Sequence, residues 1–137
     1  MRGGDGADIL RGGAGRDLLY GNLADGTSDG DQDKFDFDAI TESGLTSTTR
    51  DWILDFTDVV DRIDVSTIDA NTAVAGNQTF AAAFVAAFTV AGAQIKATQS
   101  GGNVLVEFNT DSDTAAEFSL MVRNITVANL TAADFIL

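Results

Sequence analysis

The sequence predicts an all-β chain in two parts. A short run of stacked turn-and-strand coils comes first, then a mostly antiparallel β unit with one or two short helices. Three observations lead there. A nine-residue pattern occurs twice in succession, GGDGADILR from Gly3 and GGAGRDLLY from Gly12. After about residue 38 the glycines thin out, and apolar residues fall in short alternating runs between acidic turns, the pattern of half-buried strands. Of the 21 acidic residues only Glu42, Glu107 and Glu117 are Glu, and Asp favours turns where Glu favours helix.

Bulk properties limit the possible functions. A chain of 137 residues suits one domain, or one with a small appendage, and 45% hydrophobic content is enough for a core. Eight basic residues against 21 acidic ones give a net charge of −13. Such a surface repels nucleic acid and anionic membranes, and its natural partners are cations. There is no Cys, hence no disulfide or thiol chemistry. There is no His, which excludes the two-histidine zinc-protease motif, the Ser-His-Asp triad and any imidazole base. A paired-carboxylate glycosidase is chemically conceivable, but the acids sit in turns at repeat spacing. The chain reads as non-catalytic.

The elements follow in order. Residues 1–38 hold the repeats and residues 39–137 the second part. "DWILDF" (Asp51–Phe56) and "RIDV" (Arg62–Val65) read as short strands joined by the tight "DVVD" connection. Phe80, Phe84 and Phe88, spaced i, i+4, i+8, predict a short helix with one core-facing stripe. "AQIKATQ", "NVLVEF" and "EFSLMVRNI" alternate as strands, with "SGGN" at 100–103 as a hairpin turn. "LTAADFIL" closes the chain, and its alternation predicts Phe135 and Leu137 packed inward. The longest apolar stretch, Phe80–Ala93, falls short of the ~20 residues that span a bilayer, so no stable membrane insertion is expected. No charged and apolar leader opens the sequence, and Met1 reads as an initiator placed on a fragment.

The repeat itself carries chemistry. Glycine at three of six turn positions permits positive φ and close backbone approach. Such a turn can aim several carbonyl oxygens inward, from Gly3, Gly4, Asp5 and Gly6 in one copy and Gly12, Gly13, Ala14 and Gly15 in the other. Asp8 and Asp17, at the sixth position, add a carboxylate each. Carbonyls plus carboxylates, with no nitrogen or sulfur donor, form the ligand set of a hard cation, and flexible backbone loops suit Ca²⁺ better than Mg²⁺. Leu10 and Leu19, two places after each Asp, are expected to point into a core. Nine residues then make a half-coil, and two copies make a full coil with ions between stacked loops.

After Tyr20 the pattern decays. Asp25 is displaced from the expected acid position, whereas Asp33 and Phe35 stand where an acid and an inward apolar residue belong. Asp29-x-Asp31-x-Asp33 resembles the start of an EF-hand loop, but Lys34 and Ile40 stand where its Gly and Glu are required. Asn109-x-Asp111-x-Asp113 fails the same test with Thr114 and Leu120, and reads as a polar hairpin turn.

The two copies match G-G-x-G-x-D-x-U-x, the Ca²⁺-binding repeat of RTX proteins, at every fixed position. The remainder resembles the C-terminal region of serralysin-type secreted metalloproteases, through Asp51–Phe56, Ile63–Ala70 and Leu130–Leu137. That resemblance implies a parallel β-roll followed by a β-sandwich-like cap, and it makes Asp51 a further ligand because the residue opening that strand lies beside the last loops. Asp55 and Asp64 are weaker candidates, since acids on edge strands are often simply solvated. The resemblance also implies Ca²⁺ as cofactor, an upstream catalytic or effector domain in a larger secreted, extracellular bacterial protein, and export by a type I (ABC) secretion apparatus. The uncleaved signal for that apparatus would end in Asp134-Phe135-Ile136-Leu137. A partner-binding or adhesion module of an extracellular RTX protein is the alternative.

Overall fold

The computed structural model describes residues 1–23, 25 and 27–137. Nine strands form two facing sheets. They are β1 (Ile9–Leu10), β2 (Leu18–Leu19), β3 (Lys34–Asp36), β4 (Asp51–Ile53), β5 (Arg62–Asp64), β6 (Gln94–Ser100), β7 (Asn103–Asn109), β8 (Phe118–Val122) and β9 (Phe135–Ile136). One sheet has the order β1-β3-β5-β9 and is wholly parallel. The other has the order β2-β4-β8-β7-β6, with β6, β7 and β8 antiparallel. Successive strands from β1 to β5 alternate between the sheets, so the chain winds as a β-roll. The strands are short because the turns consume most of each coil.

Side-chain alternation builds the core in rows. Leu10, Phe35, Ile63 and Phe135 lie in register across the four-stranded sheet, all buried. Leu19, Ile53, Val122 and Val104 make the corresponding row on the other sheet, each fully buried. The two rows face one another in one continuous hydrophobic cluster. Leu10 and Leu19 therefore sit where the repeat pattern places them.

Two expectations need correction. The strands at 51–53 and 62–64 do not belong to an antiparallel unit; they pair in parallel with β2, β3, β8 and β9. The acidic turns before them cross between sheets as the glycine loops do, so coil-like pairing continues past residue 38. Phe80–Phe88 is not helical. Its backbone is bound sideways, the amides of Ala81 and Val85 donating to the carbonyls of Ala93 and Ile95. The rings then serve three separate neighbours: Phe80 packs on Phe108, Phe84 on Phe135, and Phe88 lies 4.8 Å from the Lys96 ammonium. An isolated helix this short is marginal, and burial of the aromatics elsewhere overrides the spacing. The helical content among the described residues is one 3₁₀ turn, Ala132–Asp134, capped by Thr131. No helix among them is long and apolar enough to cross a membrane.

Candidate metal centre

Strand register stacks the loops into two edges. Residues 3–8, 27–33 and 54–61 lie on one edge, and residues 12–17 and 38–51 on the other. Asp8, Asp33 and Asp61 each precede a strand of the same sheet and align with one another. Asp17 and Asp51 align on the opposite edge.

A bond of one kind joins the stacked loops. The Asp8 amide donates to Asp33 Oδ1 at 3.0 Å, and the Asp33 amide to Asp61 Oδ1 at 3.0 Å. The Asp17 amide donates to Asp51 Oδ1 at 2.7 Å. Asp33, Asp51 and Asp61 thus each spend Oδ1 on the backbone of the preceding coil, and Asp61 spends Oδ2 on the Thr57 amide at 2.7 Å. The second oxygens of Asp8, Asp33 and Asp51 are buried and have no partner among the described residues. Leaving a buried carboxylate oxygen unpaired is costly, so a site built this way calls for a cation.

The glycines explain how the carboxylates reach these positions. A Cβ on Gly3 would lie 2.5 Å from Asp8 Oδ2, one on Gly12 2.9 Å from Asp17, and one on Gly21 2.1 Å from Asp33 Oδ2. The Asp at the end of each loop folds back over the glycine at its start, where a side chain would collide with it. Gly4 and Gly6, with φ of 124° and 92°, turn the first loop through the left-handed region.

Electrostatics agree with the geometry. Burial pushes the Asp33 carboxyl up to about 6, with the charges of Asp61, Asp29 and Asp8 adding to it. Burial, then the charge of Asp17, pushes Asp51 up to about 7. Burial likewise raises Asp61. These carboxylates repel one another in a poorly hydrated edge, which a divalent ion would relieve. The donor set of carboxylate and carbonyl oxygens fits Ca²⁺.

The other candidates fall in different places. Asp5 and Ala14 are exposed at loop tips. Asp25 is exposed too and caps its own turn by accepting the Thr27 amide at 2.9 Å, apart from both ladders. Asp64 pairs with Lys34 and bonds Ser66. The turn after β7 is a polar hairpin in which Asn109, Asp111 and Asp113 accept successive backbone amides. Carboxylate oxygens of Asp111, Asp113 and Glu117 lie within 4.8 Å of one another there.

Sequence reasoning missed two residues, Asp61 and Asp29, and left Asp55 a weaker candidate. Asp61 extends the first ladder, Asp29 accepts the Gly6 amide at 2.7 Å, and Asp55 accepts those of Gly21 and Asn22 at 2.8 and 3.1 Å. A signal for Asp61 was present. Asp8, Asp17, Asp33, Asp51 and Asp61 are each followed by one outward residue and then a buried one: Leu10, Leu19, Phe35, Ile53 and Ile63. The triplet Asp-x-apolar persists after the glycines are gone.

A family model described as "Peptidase M10 serralysin C terminal" matches residues 3–137. The chain belongs to the serralysin C-terminal family. Its similarity to solved structures runs through RTX-repeat relatives. The AlgE6R3 subunit of the Azotobacter vinelandii mannuronan C5-epimerase is 26% identical with a TM-score of 0.62. That match covers 98% of this serralysin C-terminal domain but 65% of the epimerase subunit, so the chain spans less than two thirds of it. The AlgE6R2 subunit of the same enzyme, 19% identical over 100% of this chain and 90% of its own, has a TM-score of 0.58 and shares the fold. Among curated proteins no sequence relative was found.

Proposed function

We propose that the chain is a non-catalytic Ca²⁺-dependent domain that directs export of a larger secreted bacterial protein and stabilises it once outside. The ladder of Asp carboxylates, three of them with a buried oxygen that has no partner among the described residues, carries the calcium reading. Asp8, Asp33 and Asp61 would hold ions on one edge and Asp17 and Asp51 on the other, with loop carbonyls from 3–6 and 12–15 completing the set. Bound Ca²⁺ supplies charge neutralisation between coils. At micromolar or lower calcium the acidic loops repel; at millimolar calcium folding is driven by binding. The division proposed is residues 1–38 as the repeats and 39–137 as the cap.

The fold supports the export reading indirectly. β9 is an edge strand that inserts Phe135 against Phe84 and Phe108. Asp134 is fully buried and bonds both Thr131 and the Val59 amide. The terminal motif is therefore available to a transporter in an unfolded chain and hidden in a folded one. Asp134 is too embedded to separate signal from structure, whereas Ile136 is 39% exposed and points outward. Fused to a passenger and co-expressed with a type I system, the chain should export it. Deleting Phe135–Leu137 should abolish export, and Ile136→Ser should reduce it while leaving the calcium-loaded melting temperature nearly unchanged. Full export of the deletion variant would place the signal elsewhere.

A further inference from the structure

We infer that the two edges take up calcium unequally: the edge holding Asp8 and Asp33 binds it tightly, and the edge holding Asp17 and Asp51 binds it weakly because Arg16 stands there as a tethered competing cation. This rests on the calcium reading and deepens it.

The two edges are alike in ligand geometry. In each, an Asp of the first coil donates its amide to an Asp of the second, Asp8 to Asp33 at 3.0 Å and Asp17 to Asp51 at 2.7 Å. In each, the accepting Asp is fully buried and keeps one oxygen, Oδ2, without a partner among the described residues. Gly3 and Gly12 make the same room for Asp8 and Asp17. Ligand placement therefore does not separate them.

Charge does. The loop of the first copy reads GGDGAD and that of the second GGAGRD, so Asp5 and Ala7 in one correspond to Ala14 and Arg16 in the other. Extended back past the aspartates, the strand registers set Ala7 beside Gln32 and Arg16 beside Arg50. Residues 3–8 and 27–33 carry five Asp and no Lys or Arg, whereas residues 12–17 and 38–51 carry four acids and two arginines. After burial, the charges acting on the Asp33 carboxyl are those of Asp61, Asp29 and Asp8, all negative. At Asp51, after burial, Asp17 and Glu42 act in one direction and Arg16 in the other.

The neighbouring cations are otherwise committed. Arg50 Nε donates to Ser119 Oγ at 2.6 Å and its Nη2 to the Leu45 carbonyl. Lys34 pairs with Asp64, and Arg62 donates to the Val60 and Asp61 carbonyls. Arg16 is exposed and forms no ion pair among the described residues. The ladders also differ in length. Asp61 continues the first, whereas the Asp51 amide donates to Ser43 Oγ at 2.8 Å, and that hydroxyl donates to the Ser119 carbonyl at 2.6 Å and ends the second. The acids past that point, Asp111, Asp113 and Glu117, accept amides of their own turn.

Oxygen-ligand loops of one shape are tuned in calcium affinity by the charge they gather. A tethered guanidinium repels the divalent ion and offers the buried carboxylate a substitute counterion. As calcium rises, the first edge fills and clamps β1 to β3, and the second fills later and clamps β2 to β4. The domain thereby responds at two calcium levels.

The test is calorimetric titration of the metal-stripped domain with calcium chloride at fixed ionic strength, with Trp52 emission followed in parallel. Trp52 is the single Trp and directly follows Asp51, so it reports the second edge. Two binding classes are expected, and Trp52 emission should change with the weaker one. Asp33→Asn should remove the tighter class and Asp51→Asn the weaker. Arg16→Gln should tighten the weaker class about fivefold without moving the tighter one, and Ala7→Arg should weaken the tighter class to a similar degree, the scale on which one exposed charge repels a divalent ion through solvent. Lys96→Gln, three strands from β4 and paired with Glu107, should change neither. Asn keeps each amide acceptor, and Ala7 and Arg16 are exposed, so the variants should fold, which circular dichroism checks. A single class of equal sites, loss of the weaker class in Asp33→Asn, Trp52 emission saturating with the tighter class, or an Arg16→Gln titration matching the parent overturns the inequality and leaves calcium binding intact. No calcium uptake by the parent overturns the calcium reading, and this inference with it.

Discussion

Asp51→Asn should have opposite effects with and without calcium. Asp51 is fully buried, one of its oxygens holds the Asp17 amide, and the other has no partner. Without metal its carboxyl titrates near 7 in the folded state, against 3.8 ordinarily. At neutral pH the ionised form therefore costs folding energy on the order of 3 kcal/mol. Asn keeps the acceptor for Asp17 and removes the charge, so the metal-free variant should be more stable than the parent. At roughly 3 °C per kcal/mol for a domain of this size, its melting temperature should rise by several degrees. The sign follows from the raised value. The penalty is absent below about pH 4, where the carboxyl is protonated folded or unfolded, and grows as pH rises to 7, so the variant's advantage should shrink on acidification. In excess calcium the ranking should reverse. A ligand at 1,000 times its dissociation constant adds about 4.1 kcal/mol, more than the metal-free gain, and the variant loses that contribution from the edge it shares with Asp17. Melts in chelator and in millimolar calcium, at neutral and mildly acidic pH, measure all four values. A metal-free variant less stable than the parent, or one with an undiminished calcium-induced shift, would refute the reasoning.

Other outcomes follow from the same edges. With the carboxyls of Asp33 and Asp51 raised to about 6 and 7, the metal-free domain should lose stability as pH rises from 4 to 7, and calcium should flatten that slope; denaturation across pH checks it. Asp8→Ala should weaken calcium binding far more than Asp5→Ala, since Asp5 is an exposed loop tip; equal losses in titration would mean the loop register is misread. Gly3→Ala should lower calcium affinity by forcing Asp8 Oδ2 from its place, whereas Gly102→Ala, at a hairpin turn with open space, should not. Leu19→Ala should cost about 3 kcal/mol with or without metal, because its side chain is fully buried between the sheets; denaturant titration measures this.

The first two loops were legible because three constraints coincide in each: a glycine that cannot carry a Cβ, a backbone turned through positive φ, and an acid at fixed distance. Asp33 was legible in part from its place before an inward apolar residue, and Asp51 only through the family resemblance. Asp29 and Asp61 were not, because their role comes from contacts 23 and 28 residues away, set by how coils stack. The β6–β7 hairpin was plain from its alternation and Gly-Gly turn. Parallel pairing of β4 and β5 was hidden, since a three-residue strand looks the same in either orientation. The Phe80–Phe88 segment misled because helical spacing of three aromatics also serves an irregular chain whose rings go to three different neighbours.

Among the described residues, the bonds from a backbone amide to an Asp carboxylate of another coil all run one way. Amides at Gly6, Asp8, Asp17, Gly21 and Asp33 each lean on a carboxylate that comes later in the chain. Every coil is thus scaffolded by its successor and owes nothing of this kind to its predecessor. If these bonds govern the order of assembly, the stack should seed at the end nearest β9 and propagate toward Gly3. It also makes the two ends unequal for an engineer. A further GGxGxD unit grafted ahead of Gly3 would meet Asp17 as ready-made support, whereas an excision near Asp61 would remove the footing of everything laid upon it.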